Sequence, residues 1–229
     1  MNYQKTILCL ANSRKPGGRC VAGKEMLEDG YGEWIRPVSA RSSEEISLIE
    51  MRFKDGQRPD VLDIISVPMA KPKPHMHQSE NHLIDDGRHW VKVGAAGWAD
   101  LESALDTVTG PLWFNGSSSY NGLNDEVPEA TAKKLSSSLY LVRPNKLQIS
   151  VGTEGVQGRR KKKVRASFSL GKFAYKLTVT DPVVEKAYLA CEDGIYPVDD
   201  AILCVSLGEV YKGYAYKLVA ALITPDMGN

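Results

Sequence analysis

Several things are scarce in this 229-residue chain, and each scarcity removes a class of function. No apolar run approaches the roughly 20 residues that cross a bilayer. The amino terminus has no basic start leading into a long apolar stretch, since Lys5 precedes only Ile7-Leu8-Cys9-Leu10. It does not read as a signal peptide, and the expected location is cytoplasmic. The four cysteines, Cys9, Cys20, Cys191 and Cys204, are too far apart for zinc knuckles. Each lies in or beside an apolar segment, so reduced core thiols are expected. There is no Gly-x-Ser-x-Gly elbow, no Walker lysine loop and no His-Glu-x-x-His helix. Gly152, Gly155 and Gly158 lack the strand-then-helix setting of a dinucleotide fingerprint and read as a flexible β-loop. No catalytic set, cofactor or metal is assigned.

Histidine is also scarce, but its distribution is uneven: His75, His77, His82 and His89 all fall within fifteen residues. On a strand, His75 and His77 would point the same way and reach toward a shared metal with His82. Pro72 and Pro74 precede them, and the usual cysteine or paired carboxylate is missing. A metal-dependent nuclease built on these histidines and Glu80 is therefore the weakest of the alternatives.

What the chain has in excess is segregated charge. Its formal net charge is +1, yet residues 143–176 hold ten Lys/Arg against Glu154 alone, which makes that window +9 and leaves −8 for the rest. Arg159-Arg160-Lys161-Lys162-Lys163-Val164-Arg165 is its centre. Such segregation points to a face for polyanions. Beyond it, Val164, Ala166, Phe168 and Leu170 alternate with Lys163, Arg165, Ser167 and Ser169, the period of a strand with one apolar and one cationic face. Phe173 to Thr180 repeats the alternation with Lys176 on the polar side, and Gly171-Lys172 joins the two into a basic hairpin. The competing reading is a lysine-protected edge that blocks unwanted strand pairing. Tyr175 shares the apolar face, so a stacking surface for bases would come from Tyr120 or Trp113 instead.

The pattern predicts short strands over 6–11, 20–22, 34–38, 46–53, 61–68 and 89–93, with Ser13 to Arg19 as a glycine-containing basic loop. Trp98, Leu101, Leu105 and Val108 predict a helix, Pro128 to Leu135 a second, and Gly116 to Gly122 a mobile loop around Tyr120. Strands over 139–151, 164–170, 173–180, 201–206 and 214–223 follow, with a helix over 183–191 before the last pair. Five strands with that helix match the content of an OB barrel.

Five segments carry a resemblance: Ile7-Leu8-Cys9-Leu10-Ala11-Asn12-Ser13-Arg14-Lys15, Trp34-Ile35-Arg36-Pro37-Val38-Ser39, His77-Gln78-Ser79-Glu80-Asn81-His82, Val179-Thr180-Asp181-Pro182 and Val205-Ser206-Leu207-Gly208-Glu209. In this order they resemble the prokaryotic dual OB-containing domain family across nearly the whole chain. The resemblance implies a mainly β protein of two tandem OB-like barrels, over 1–96 and 138–229, with a short helical and loop connection over 97–137. It also implies nucleic-acid or nucleotide recognition in bacterial conflict and phage-defence operons, without a transferable catalytic residue.

The leading reading is a non-catalytic nucleic-acid-binding module for DNA or RNA, with Arg159, Arg160, Lys161, Lys162, Lys163, Arg165 and Lys176 neutralising phosphates. A second is a nucleotide or modified-base sensor whose pocket uses Arg36, His77, Gln78, Glu80, Asn81 and His82, groups able to read a base edge or clamp a phosphate. The same residues also suit a capped turn and a buried ion pair. A third is an adaptor whose basic strand meets an acidic partner, a protein effector encoded in the same operon. No membrane partner is expected.

Overall fold

Thirteen residues in one strand set the plan of the first half. In the computed structural model, which describes residues 2–227, the chain forms β1 (Tyr3–Lys15), β2 (Gly18–Leu27), β3 (Gly30–Val38), β4 (Asp63–Pro72), β5 (Asn81–Ile84) and β6 (Val91–Ala95). The first part of β1 pairs antiparallel with β4, from Tyr3 opposite Met69 to Leu8 opposite Ile64. Its second part pairs antiparallel with β2, ending with Lys15 opposite Gly18. A bulge between Cys9 and Ala11 lets one strand serve both neighbours, because the extra residue bends it. β3 runs antiparallel to β2 and parallel to β5, and β5 pairs with β4, so the circuit β1-β2-β3-β5-β4-β1 closes. β6 is added along β4.

Ile7 to Ala11 are all buried, as expected of a strand with neighbours on both sides and covered faces. The barrel is filled by Ile7, Ile35, Ile65, Val67, Met69 and Trp90. The link from β3 to β4 differs from the expected strand over 46–53. It is a series of turns that sends Ile46, Met51 and Phe53 into the core and touches β2 through one bridge, Arg19 to Ile46. These apolar residues reach the core from turns and not from a ladder. Residues up to Leu105, together with 136–138 and the chain from Ile223 on, make one compact unit.

The second unit comprises 106–135 and 139–222. Its elements are β7 (Glu126–Pro128), α1 (Glu129–Ala132), β8 (Leu139–Val142), β9 (Asn145–Glu154), β10 (Lys161–Leu170), β11 (Phe173–Val179), α2 (Pro182–Leu189), β12 (Gly194–Pro197), β13 (Ile202–Tyr211) and β14 (Tyr214–Ile223). β8 pairs with β13 and β9 with β10, so together they repeat the double role of β1. The break falls at Arg143-Pro144, where proline has no N–H to give a ladder. β11 lies parallel to β14, as β3 does to β5. α2 stands between β11 and β13, the place of the helix in an OB barrel. It begins sharply because Asp181 accepts the Val183 and Val184 N–H groups at 3.0 and 3.2 Å and Pro182 fills the first helical position. The other Asp181 oxygen accepts Leu222 N–H in β14, tying the helix start to the sheet. The chain is thus mainly β, with two barrels in tandem. Two expected helices are shorter than their sequence pattern: 98–104 is a 3-10 helix and Pro128 to Leu135 yields only the four residues of α1.

Candidate nucleic-acid interface

The hairpin between β9 and β10 carries most of the expected phosphate ligands. Its tip needs glycine: Gly155 has φ +108°, and a Cβ there would lie 2.7 Å from the Arg159 carbonyl. The ladder pairs Glu154 with Lys161 and Gly152 with Lys163. Arg159, Arg160 and Lys161 are exposed and Lys163 half-buried. Among the described residues, no carboxylate lies within ion-pair distance of these four cations.

The remaining three are placed differently. Lys162 points to the opposite side of β10, donates to the Cys191 carbonyl and lies 3.5 Å from Asp193. Arg165 is buried and forms a two-pronged pair with Glu154, Nε to Oε1 at 2.6 Å and Nη2 to Oε2 at 2.9 Å. Its third nitrogen is 3.9 Å from Asp125. Arg165 therefore acts as a girder of the hairpin and not as an exposed cation. Lys176 is half-buried on β11, where its backbone pairs with Leu123 in both directions. Arg165 holds the Glu154 carboxyl below the usual carboxylate range, helped by a hydrogen bond from Asn121 and the charge of Lys176 against the opposing effect of burial.

Beside the hairpin is an open cleft of about 560 Å³. Tyr120 and Asn121 line it from the loop before β7, and Glu154, Gly155, Val156, Arg159, Lys161 and Lys163 line it from the hairpin. Tyr120 is fully exposed. The loop expected to be mobile is pinned from below: Asp125 accepts Ser119 N–H at 2.8 Å and its hydroxyl at 2.5 Å, and a Cβ on Gly122 would collide with that carboxylate. Asn124 donates to the Ala174 carbonyl at 2.9 Å. Lys217 on β14 completes the mooring, with its backbone N–H on the Asp125 carbonyl and its ammonium on the Phe114 carbonyl and Asn115 Oδ1. Burial lowers the Lys217 pKa to about 7, against the favourable pull of Asp125. Tyr175 is core, stacked on Phe168 at 5.3 Å, its hydroxyl accepting from the Leu112 N–H and the Asn115 side-chain amide, so it offers no outer face.

The second group of expected ligands lies in the first barrel. β3 beside β5 brings Arg36 against Asn81, and the Arg36 guanidinium meets Glu80 at 3.1 Å, both groups buried. Asn81 accepts from Arg36 at 3.4 Å and donates to Gln78 at 3.2 Å, and Ser138 donates to Glu80. His77 is buried in the same stretch, while His82 turns to Tyr3, whose hydroxyl is 2.5 Å from its Nδ1. Burial lowers the His82 pKa. The strand that a shared His75–His77 metal site would need does not form: residues 75–78 make a tight turn with Met76 at φ +52°. Among the described residues, no three His, Cys, Asp or Glu side chains converge as metal ligands.

The sequence model of the dual OB-containing domain matches residues 5–222. The chain belongs to that family. No curated protein and no solved structure matches it. Membership accords with the two barrels and fits a module of nucleic-acid-binding type. No helix among the described residues is long and apolar enough to cross a membrane. Sequence reasoning left Val156 and Asp125 out of the site. Val156 carried no signal beyond its place in a glycine-rich turn. Asp125 could have been marked as the acid closing a Ser/Asn/Gly loop, the usual position of a turn-capping carboxylate.

Proposed function

We propose that this dual OB protein is a non-catalytic nucleic-acid-binding module whose β9–β10 hairpin follows the phosphate backbone. One observation carries the reading: among the described residues Arg159, Arg160, Lys161 and Lys163 stand without carboxylate partners, and all but Arg160 line an open cleft. Cations left in this state release counterions from a polyanion instead of exchanging one protein partner for another. The position also favours it, because the loop between the first two strands is a ligand-binding loop of OB folds. Lys162 and Lys176 contribute to the local field, and Arg165 acts through Glu154. The bacterial conflict or phage-defence setting, the cytoplasmic location and an effector encoded nearby belong to the same reading. Of these, the conflict or defence setting follows from the family resemblance and not from geometry.

The test is fluorescence anisotropy against labelled single-stranded DNA, single-stranded RNA and duplex DNA over a salt series, with R159A/R160A/K161A/K163A alongside. Each phosphate contact contributes about 0.7 to the log–log salt slope on a single strand. The fourfold variant should lose up to about 3 from that slope while keeping its fold. Unchanged affinity in the variant, or no binding by the wild type at low salt, defeats the proposal.

A further inference from the structure

The cleft beside the hairpin has features that phosphate tracking does not require. Tyr120 is 100 % exposed and Val156 72 % exposed, from separate segments that line the same space. Single exposed apolar residues are ordinary. Here the tyrosine is carried on a loop moored by Asp125, Asn124 and Lys217, and that anchoring holds an aromatic ring in water with no packing return. An aromatic and an aliphatic side chain lining one cleft offer a flat apolar body a place between them, and the cleft volume is within the roughly 300–1,000 Å³ of ligand sites. The cations Arg159, Lys161 and Lys163 share its lining, so the flat body should be attached to an anion.

Glu154 sharpens the choice. A carboxylate offers about four acceptor sites. Arg165 occupies one on each oxygen, and Glu154 also lines the cleft, so acceptor capacity remains there. A group facing it must donate. Cytosine presents an amino group suited to a carboxylate, whereas thymine and uracil offer N3–H only between two carbonyl oxygens that the carboxylate repels.

Building on the nucleic-acid reading above, we infer that this cleft takes one unpaired nucleotide, its base between Tyr120 and Val156, its phosphates on Arg159, Lys161 and Lys163, and an amino-bearing edge toward Glu154. The protein thereby selects single strands over duplex, whose bases are stacked and out of reach, and prefers amino bases at this position.

Anisotropy on labelled oligo-dC, oligo-dT and a duplex, each of about 12 nucleotides and so within the site sizes of OB folds, tests this. Stacking on one aromatic is worth about 1–3 kcal/mol, so Tyr120→Ala should weaken oligo-dC binding roughly 5- to 150-fold. It should leave duplex binding and the salt slope unchanged, and Tyr120→Phe should stay within about twofold of wild type. The wild type should favour oligo-dC over oligo-dT by at least about threefold, and Glu154→Gln should narrow that gap. If Tyr120→Ala binds oligo-dC like wild type while the salt slope persists, the slot is wrong and the phosphate-tracking hairpin stands. Equal or better binding of oligo-dT by the wild type overturns the amino-edge selection without needing the Glu154 variant to fold. A wild type that binds no nucleic acid ends both readings.

Discussion

The β1–β2 turn of the first barrel and the β9–β10 hairpin of the second occupy the same topological position, and both are rich in cations. They are built in opposite ways. The first turns within Pro16-Gly17 and is sealed by its own barrel: Arg19 and Ile46 exchange backbone hydrogen bonds at 2.8 and 2.9 Å. A Cβ on Gly18 would sit 2.3 Å from the Ile46 carbonyl. The second runs through six residues, Gly155 to Arg160, between its strands and leaves its cations at an open cleft. Charge in the sequence therefore does not by itself mark a site. The two loops differ in whether neighbouring backbone ties down the base of the turn.

The comparison breaks hardest at the buried charges. Glu80→Ala leaves Arg36 buried without its carboxylate, and should cost about 3–5 kcal/mol in urea-monitored stability of the first unit. Glu154→Ala should cost less, because Arg165 keeps Asp125 nearby and Glu154 is only half-buried. Equal losses would contradict this ranking.

Glycine substitutions set the closed start of β2 against an open position on β9. Gly18→Ala forces backbone apart and should destabilise by about 1–3 kcal/mol. Gly152→Ala meets no atom within 4 Å and should stay within about 0.5 kcal/mol. Thermal unfolding of both variants checks the pair.

A pH series tests the mooring under Tyr120. Lys217 has a folded pKa of about 7, below its ordinary value. Between there and about 10.4 the unfolded chain holds a proton that the folded chain lacks. Stability therefore rises with pH across that window, by at most about 1.4 kcal/mol per pH unit, and the cost of the buried charge is fully present below it. Lys217→Met should flatten the rise. R159A/R160A/K161A/K163A should change stability by no more than about 0.5 kcal/mol per site, because these side chains make no ion pair to lose.

Much of this was legible in the sequence wherever period and burial agree. The alternation of Val164, Ala166 and Phe168 gave β10, and Tyr214 to Ile223 coincides with β14. The helix expected over 183–191 begins within one residue of α2. The failures have local causes. Pro144 splits an expected strand over 139–151 in two, and Ile46, Met51 and Phe53 are core residues without being a strand. β12 is a four-residue edge with Ile195 exposed, too short and too weakly alternating to announce itself. In the site, the cationic run was plain, but Arg165 belongs to the same alternating face as Lys163 and is nonetheless buried on Glu154. Its partner lies across the hairpin, and Asp125 lies beyond it in a loop, so no spacing rule could pair them. Tyr120 was noticeable as an aromatic in a polar loop, but its role depends on Val156 facing the same cleft, which only the fold reveals.

The most direct test is to titrate the isotopically labelled protein with single-stranded oligonucleotide and follow backbone amide shifts. The account predicts perturbations concentrated at residues 120–121 and 154–163, with little change over 14–19. Perturbations centred on 14–19, or on the Arg36–Glu80 network with the β9–β10 hairpin silent, would contradict it.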